Sequence, residues 1–296
     1  MKKMLFILNP KAGQMRANRY LTQMLSVFIR GGYDVTVHIT AFSGDAAQTA
    51  QRLAGEMDTI VCCGGDGTFN ETVTGVLRSG VDVPIGYIPA GSTNDFANGL
   101  KIPTNVMAAA RAVVEGTPQY LDMGKFGQRY FCYVASFGVF TRLSYATPQN
   151  VKNALGHMAY LMGGMQELSQ LRATHMRITL DGGRVVEDDF AFGAICNATS
   201  LGGVLMLDPN RVDLRDGKFE VLLIRAPKDV VELADCVRAL QSQKYDSPHI
   251  TFLSASKLEV QTENEMCWTL DGEQGDCGSL ASVENLHHAV RVILKG

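Results

Sequence analysis

The stretch Thr59-Ile60-Val61-Cys62-Cys63-Gly64-Gly65-Asp66-Gly67-Thr68-Phe69-Asn70-Glu71 holds residue types suited to phosphate. Apolar, β-favouring residues run into three glycines interrupted by one aspartate, and a helical pattern follows. This reads as a buried strand, a sharp turn and a helix start. Gly64, Gly65 and Gly67 tolerate positive φ and let a ligand reach the backbone with no Cβ in the way. Free N–H groups at a helix start favour phosphate. Asp66 would repel bare phosphate, so it implies an intervening divalent cation or a hydroxyl to orient. An ordinary glycine-rich turn shares so short a pattern, and the surrounding chain must decide between the two.

The elements around that turn alternate. Met4–Leu8, Val35–Thr40, Thr59–Cys63 and Pro84–Ile88 read as strands. Helical patterns separate or follow them: Asn18–Ile29 closed by Gly31-Gly32, a helix capped by Ser43-Gly44-Asp45 through Leu53, one to about Leu77, and one from a Thr104 cap to Glu115. Such alternation predicts an α/β domain whose parallel sheet carries helices on both faces. Ligands then bind beyond the carboxyl ends of the strands. The turns at Asn9, Thr40, Gly64 and Gly91 all belong to that edge.

After about residue 124 the pattern becomes mainly antiparallel. Tyr130–Val139 reads as strand and Asn150–Leu171 as a methionine-rich helix. His175–Leu180 and Arg184–Ala191 flank Asp181-Gly182-Gly183 as a hairpin. Further strands fall at Phe192–Cys196, Phe219–Ile224, Ile250–Leu253 and Lys257–Gln261, with a helix near Val230–Leu240. The division predicted is 1–124 for an α/β domain that carries the glycine turns and 125–284 for a mainly β domain. A last strand at Ala289–Leu294, within 285–296, is available to complete the first domain.

Bulk properties exclude several classes. The 296 residues are 46% hydrophobic and 19% charged, which describes a globular chain long enough for two domains. A net charge of −3 gives no electrostatic footprint for nucleic acid. Seven cysteines without C-x-x-C spacing predict buried free thiols in a reducing compartment. No run of apolar residues reaches membrane-spanning length, and Met4–Leu8 is too short for a signal peptide. A cytoplasmic protein is expected.

The motifs together carry a resemblance. Asn9-Pro10-Lys11-Ala12-Gly13, Thr40 before Gly44-Asp45-Ala46, Gly64-Gly65-Asp66-Gly67-Thr68, Pro89-Ala90-Gly91-Ser92-Thr93-Asn94-Asp95-Phe96-Ala97, Asp216-Gly217 and Asp271-Gly272-Glu273 occur in that order over nearly the whole chain. This set resembles the soluble diacylglycerol kinase family, which includes bacterial lipid kinases and the sphingosine and ceramide kinases. Where that family usually has Gly-Thr, this chain has Gly91-Ser92, whose hydroxyl makes the same hydrogen bond.

The resemblance implies an ATP-dependent lipid kinase, most simply one converting diacylglycerol to phosphatidic acid. It assigns nucleotide contacts to Asn9, Pro10, Lys11, Ala12, Gly13, Thr40, Gly64, Gly65, Asp66, Gly67, Thr68, Phe69, Asn70 and Ser92. Asp66 would hold a catalytic Mg²⁺ or position the γ-phosphate. A lipid hydroxyl needs a carboxylate within reach of its proton, and the family pattern gives Glu273 as that base with Asp271 beside it. Asp213, Asp216 and the Lys218 carbonyl resemble the family's second, structural Mg²⁺ site; hard cations take oxygen ligands, so the Lys218 amine is excluded. The competing readings are an NAD kinase-type enzyme with a soluble acceptor and a non-catalytic nucleotide- or lipid-binding protein. Between residues 125 and 177 six cations, Lys125, Arg129, Arg142, Lys152, Arg172 and Arg177, face the single Glu167. That segment could lie on the inner face of a membrane through Met158, Leu161, Met162, Met165 and Leu168, or those residues could simply pack a core. Oligomeric state is left open, a homodimer included.

Overall fold

The computed structural model describes residues 1–15, 17–138, 173–201, 205–243, 245 and 247–295. The helix expected at Asn150–Leu171, and most of the basic segment with it, lie outside the described residues. The chain forms two compact units, Met1–Asp122 with His288–Gly296, and Met123–His287. Among the described residues, no helix is long and apolar enough to cross a membrane.

The first unit contains β1 (Lys2–Leu8), α1 (Leu21–Arg30), β2 (Tyr33–Ile39), α2 (Asp45–Leu53), β3 (Thr59–Gly64), α3 (Asp66–Ser79), β4 (Ile85–Pro89), α4 (Asp95–Gly99) and α5 (Val106–Glu115). The strands pair in parallel in the order β2-β1-β3-β4. Val292 near the chain's end pairs in parallel beside Ile85. β3 is buried along its whole length, as a strand covered on both faces must be. Met4, Phe6, Leu8, Val61, Cys63 and Ile88 point toward α1 and α5, where Met24, Phe28, Ala109, Ala110 and Val113 cover them. On the opposite face Phe69 of α3 stacks on Tyr87 of β4 with ring centroids 4.4 Å apart. Fully burying such an aromatic contributes about 1.5–3 kcal/mol. The register pairs Leu8 with Ile39 and Cys63, and Gly64 with Pro89. Four chain turns therefore leave the sheet at one edge.

Two helix starts differ from the expectation. Ser43 does not cap α2. Its N-terminal N–H groups instead meet a carboxylate from the neighbouring helix: Gly44 donates to Glu71 Oε1 at 2.7 Å and Ala46 to Oε2 at 3.3 Å. α3 reaches that position because Gly75 lets it lie against α2; a Cβ there would meet the Ala47 carbonyl oxygen at 2.3 Å. The cap of α5 is Asn105, whose side chain accepts from Ala108 N–H at 3.0 Å, one residue beyond Thr104.

β5 (Thr117–Phe126), a strand not among those expected, leads out of the first unit. The second unit continues with β6 (Arg129–Phe131), β7 (Val134–Gly138), β8 (Thr174–Leu180), β9 (Arg184–Cys196), the short pair β10 (Ser200–Leu201) and β11 (Leu205–Met206), β12 (Phe219–Arg225), α6 (Val230–Gln241), β13 (Ile250–Ala255), β14 (Lys257–Leu270) and β15 (Glu273–Leu294). β15 extends into the first unit from His288. Pairing within the second unit is antiparallel. The two strands expected across 184–196 are one. Its second half pairs with β7 and its first half with β8, and β14 divides itself between the same two partners. Trp268 anchors this core, 5.0 Å from both Phe126 and Phe137. The strand expected at Tyr130–Val139 breaks at Cys132-Tyr133, whose N–H groups go to the Asp271 carboxylate instead of a ladder.

The thiol expectation needs a correction. Cys62, Cys63, Cys132, Cys196 and Cys236 are free and buried, but Cys267 and Cys277 are bonded to each other across β14 and β15. Sequence spacing concealed the pair because it depends on strand register.

Candidate functional site

In the first unit the turns after β1, β3 and β4 touch backbone to backbone. Gly13 has φ +50°, and a Cβ on it would lie 1.8 Å from the Ala90 carbonyl oxygen. A Cβ on Gly91 would lie 2.7 Å from the Gly65 Cα. Only glycine permits both approaches. Side chains then tie the turns. Asn9 accepts the Lys11 N–H at 2.9 Å and donates its amide to the Thr68 hydroxyl at 2.9 Å. The Pro10 carbonyl accepts from Asn18, and Ala12 N–H returns to the Asn9 carbonyl. Asn94 takes the left-handed conformation, which asparagine tolerates. Its side chain accepts from Gly91 N–H at 2.9 Å and donates to the Gly91 carbonyl at 3.0 Å.

Asp66 is the centre of this arrangement. It opens α3 and accepts the Asp95 N–H at 3.1 Å and the Tyr87 hydroxyl at 3.4 Å. Burial pushes its carboxyl up, while N–H donors from Asp95, Phe96 and Asn94 and the Tyr87 hydroxyl pull it down. The residue is half-buried and braces two turns. Thr40 is half-buried, with its N–H on the Leu8 carbonyl at 2.9 Å. Ser92 and Lys11 are exposed, and Gly67 and Asn70 are half-buried. The Phe69 side chain is fully buried in the core, so only its backbone can meet a nucleotide. Gly64 backs onto Thr68, whose Cβ would be 2.6 Å from a Cβ at that glycine.

Two carboxylates that sequence reasoning missed hold the Thr40 loop. Asp45 accepts the Ala41 N–H at 2.7 Å and lies 2.9 Å from His38 Nε2. Burial raises its carboxyl, but the Ala41 N–H and His38 outweigh that and leave it below the ordinary range. Glu71 is the second, through the α2 contacts given above. Glu71 stood at the end of the glycine motif, and the long sequence interval to its partners gave no sign of its role.

In the second unit Asp271 and Glu273 share one hairpin with different fates. Asp271 and Gly272 have φ of 48° and 81°, the conformation of a tight two-residue hairpin turn. The Asp271 carboxylate is 8% exposed and accepts the N–H groups of Cys132, Tyr133 and Val134 at 2.6, 2.9 and 3.0 Å. These three bonds tie the chain at the start of β7 to the hairpin. Glu273, two residues on, is exposed.

The loop Asp213–Lys218 is also in the second unit. Asp213 accepts the Arg215 N–H at 3.1 Å, Asp216 accepts the Lys218 N–H at 2.9 Å, and Gly217 turns at φ +76°. The Lys218 carbonyl accepts the Asn285 amide at 3.1 Å. The other end of that amide, Asn285 Oδ1, is buried with no hydrogen-bond partner. Nearby Glu220 is 2% exposed, and burial together with Asp216 and Asp213 pushes its carboxyl up to about 8. Two carboxylates, a carbonyl and an amide oxygen are hard oxygen donors, the kind Mg²⁺ takes.

Residues 3–126 match the model of the diacylglycerol kinase catalytic domain, and residues 134–294 that of the YegS C-terminal NAD kinase beta sandwich-like domain. A diacylglycerol kinase of Bacillus subtilis (strain 168) is 33% identical over 99% of this chain and 97% of its own length. One from Staphylococcus aureus (strain bovine RF122 / ET3-1) is 30% identical over 93% of this chain and 87% of its own length. A solved structure of a diacylglycerol kinase from Bacillus anthracis str. Sterne superposes with a TM-score of 0.77, covering 99% of this chain and 97% of its own at 23% identity, a likeness of fold. With these relatives matching end to end, the chain belongs to the diacylglycerol kinase family and is a lipid kinase.

Proposed function

We propose that the chain transfers the γ-phosphoryl group of ATP to the free hydroxyl of diacylglycerol, giving phosphatidic acid and ADP. The observation that carries this reading is the backbone contact among the three glycine turns at one sheet edge, braced by Asp66. Close-packed turns expose N–H groups without side chains between them, and a triphosphate is the ligand for which such a surface is complementary.

Asn9–Gly13 and Gly64–Asn70 hold the phosphates, and Thr40 and Ser92 offer hydroxyls to the nucleotide. Asp66 faces the transferring group, where Mg²⁺, when bound, supplies charge neutralisation for the phosphoryl oxygens. Glu273 orients the acceptor hydroxyl. As the lipid oxygen bonds to phosphorus and the bond to the ADP oxygen breaks, the hydroxyl proton passes to the Glu273 carboxylate. Asp271 acts through the hairpin it fixes, not on the substrate. Asp213, Asp216 and the Lys218 carbonyl hold a second Mg²⁺, which stabilises the loop. Diacylglycerol resides in membranes, so the enzyme meets its acceptor at a membrane surface.

The test is incubation with γ-labelled ATP and Mg²⁺ in separate vesicles containing diacylglycerol, phosphatidylglycerol or a sphingoid base, with soluble NAD as a further acceptor. Labelled phosphatidic acid as the dominant product supports the reading. Label appearing in NADP, or in another lipid only, contradicts it.

A further inference from the structure

We propose that Cys267 and Cys277 form a reversible thiol–disulfide site that sets the stiffness of the hairpin presenting Glu273. Its effect on turnover rests on the reading of Glu273 as the base; the bond itself does not.

The two residues stand directly opposite each other in the β14–β15 ladder, with Cα atoms 4.0 Å apart. Both are exposed, whereas the five free cysteines are buried. Burial pushes the thiols of Cys63 and Cys236 up to about 12 and about 11, and those of Cys62 and Cys196 also upward. Thiolate and access are both needed for exchange, so chemistry at this pair is selective. Exposed disulfides are the labile class, in contrast to buried structural ones.

The location gives the bond a mechanical role. The ladder slips between Gln261 and Met266 and again between Cys267 and Thr269, so the cysteine rung sits between two irregularities. On the turn side only Thr269–Gln274 and Leu270–Glu273 pair. The β14 arm is secured by buried Trp268 and by Asp271. The β15 arm, which bears Glu273, is exposed from Glu273 to Gln274 and again from Asp276 to Cys277. Its other tether is Arg129, which donates to the Gln274 carbonyl at 2.8 Å. The disulfide fixes this looser arm to the secured one.

The exchange partner is a low-molecular-weight disulfide of the glutathione type. One cysteine thiolate attacks it, forming a mixed disulfide and expelling one small thiolate. The second cysteine thiolate then attacks the protein-bound sulfur, closing Cys267–Cys277 and expelling the other. Two protein thiols are oxidised, one small disulfide is reduced to two thiols, and the protein's two protons end on those leaving groups. Excess small thiol reverses both steps.

The experiment equilibrates the intact enzyme with graded ratios of reduced and oxidised glutathione, then alkylates it natively and locates the labels by mass spectrometry. Cys267 and Cys277 should change together from labelled to protected with one midpoint. Trp268, the chain's single tryptophan, should change its fluorescence at the same midpoint. Turnover should fall on reduction by roughly 3- to 10-fold, less than the 10²-fold cost of a 1 Å misplacement. Cys277→Ser should turn over like the reduced wild type at every ratio. Cysteines 267 and 277 labelled at all ratios would overturn the site. A bond that forms while turnover stays constant would overturn its control of the hairpin. Normal turnover by Glu273→Gln would instead reject the base assignment, and the labelling and fluorescence midpoints would still decide the site.

Discussion

In the reaction proposed above, the edge of the first unit would work through its backbone, whereas the hairpin of the second would work through a single exposed side chain, Glu273. The first arrangement needs glycines because any Cβ at Gly13 or Gly91 would strike a neighbouring turn. The second needs a rigid pedestal, supplied by Asp271 and its three N–H donors. The difference teaches that the two carboxylates most alike in sequence terms, Asp66 and Asp271, differ in kind. Asp66 accepts from Tyr87 and Asp95 between two of the glycine turns, while Asp271 accepts the N–H groups of Cys132, Tyr133 and Val134 beneath the hairpin.

The sharpest way to break that contrast is to remove each. Asp66→Ala should lower the phosphoryl-transfer rate by about 10²–10³, the range for losing one preorganised electrostatic group. Because Asp66 also accepts the Asp95 N–H, the variant should lose protection of the α4 amides in hydrogen exchange. Near-normal rate in a folded Asp66→Ala protein would reduce that residue to a brace.

Asp271→Ala strands three buried N–H groups. The expected destabilisation is about 3 kcal/mol, since each orphaned donor costs about 1–3 kcal/mol before local relaxation. Urea melts should show it. Asp271→Asn, which keeps one carbonyl acceptor, should fall between. If Asp271→Ala kept wild-type stability while losing all activity, the residue would be chemical after all.

A smaller effect is expected at the second-unit loop. With Asp216→Ala, added Mg²⁺ should no longer raise the melting temperature. In wild type the gain would be about 2.7 kcal/mol at a hundredfold excess over Kd. An equal Mg²⁺ response in both proteins would make the loop a simple turn.

The smallest effect concerns acid. Asp45 has its folded pKa below the ordinary 3.8, so it contributes stability above that value and loses it as pH falls through the folded pKa. Asp45→Asn should therefore be less stable than wild type near neutrality, with the gap closing in acid. A gap that widened on acidification would reverse the assignment.

These contrasts also explain what could be read from the residues alone. The phosphate edge was legible because it is built from clustered glycines, two of which, Gly13 and Gly91, stand where a Cβ would strike a neighbouring turn, and a glycine cluster is visible in sequence. The Asp181-Gly182-Gly183 hairpin was legible because its glycines take φ of +80° and +139°, which other residues rarely adopt. Glu71 was not, because its partners lie 27 and 25 residues away and only the Gly75 contact brings the helices together. The bracing contacts of Asp271 were hidden too: its adjacency to Glu273 is visible in sequence, while its donors, 137 to 139 residues distant, are not. The cysteine pair was hidden likewise: an odd count suggests free thiols, and only strand register joins two of them.

The central claim is that Glu273 serves the acceptor and not the nucleotide. Its most direct test is single-turnover phosphorylation by Glu273→Gln, measured beside ATP affinity in the same preparation. Unchanged ATP affinity and a chemical step slower by about 10²–10⁴ are expected. A wild-type rate in that step would contradict it.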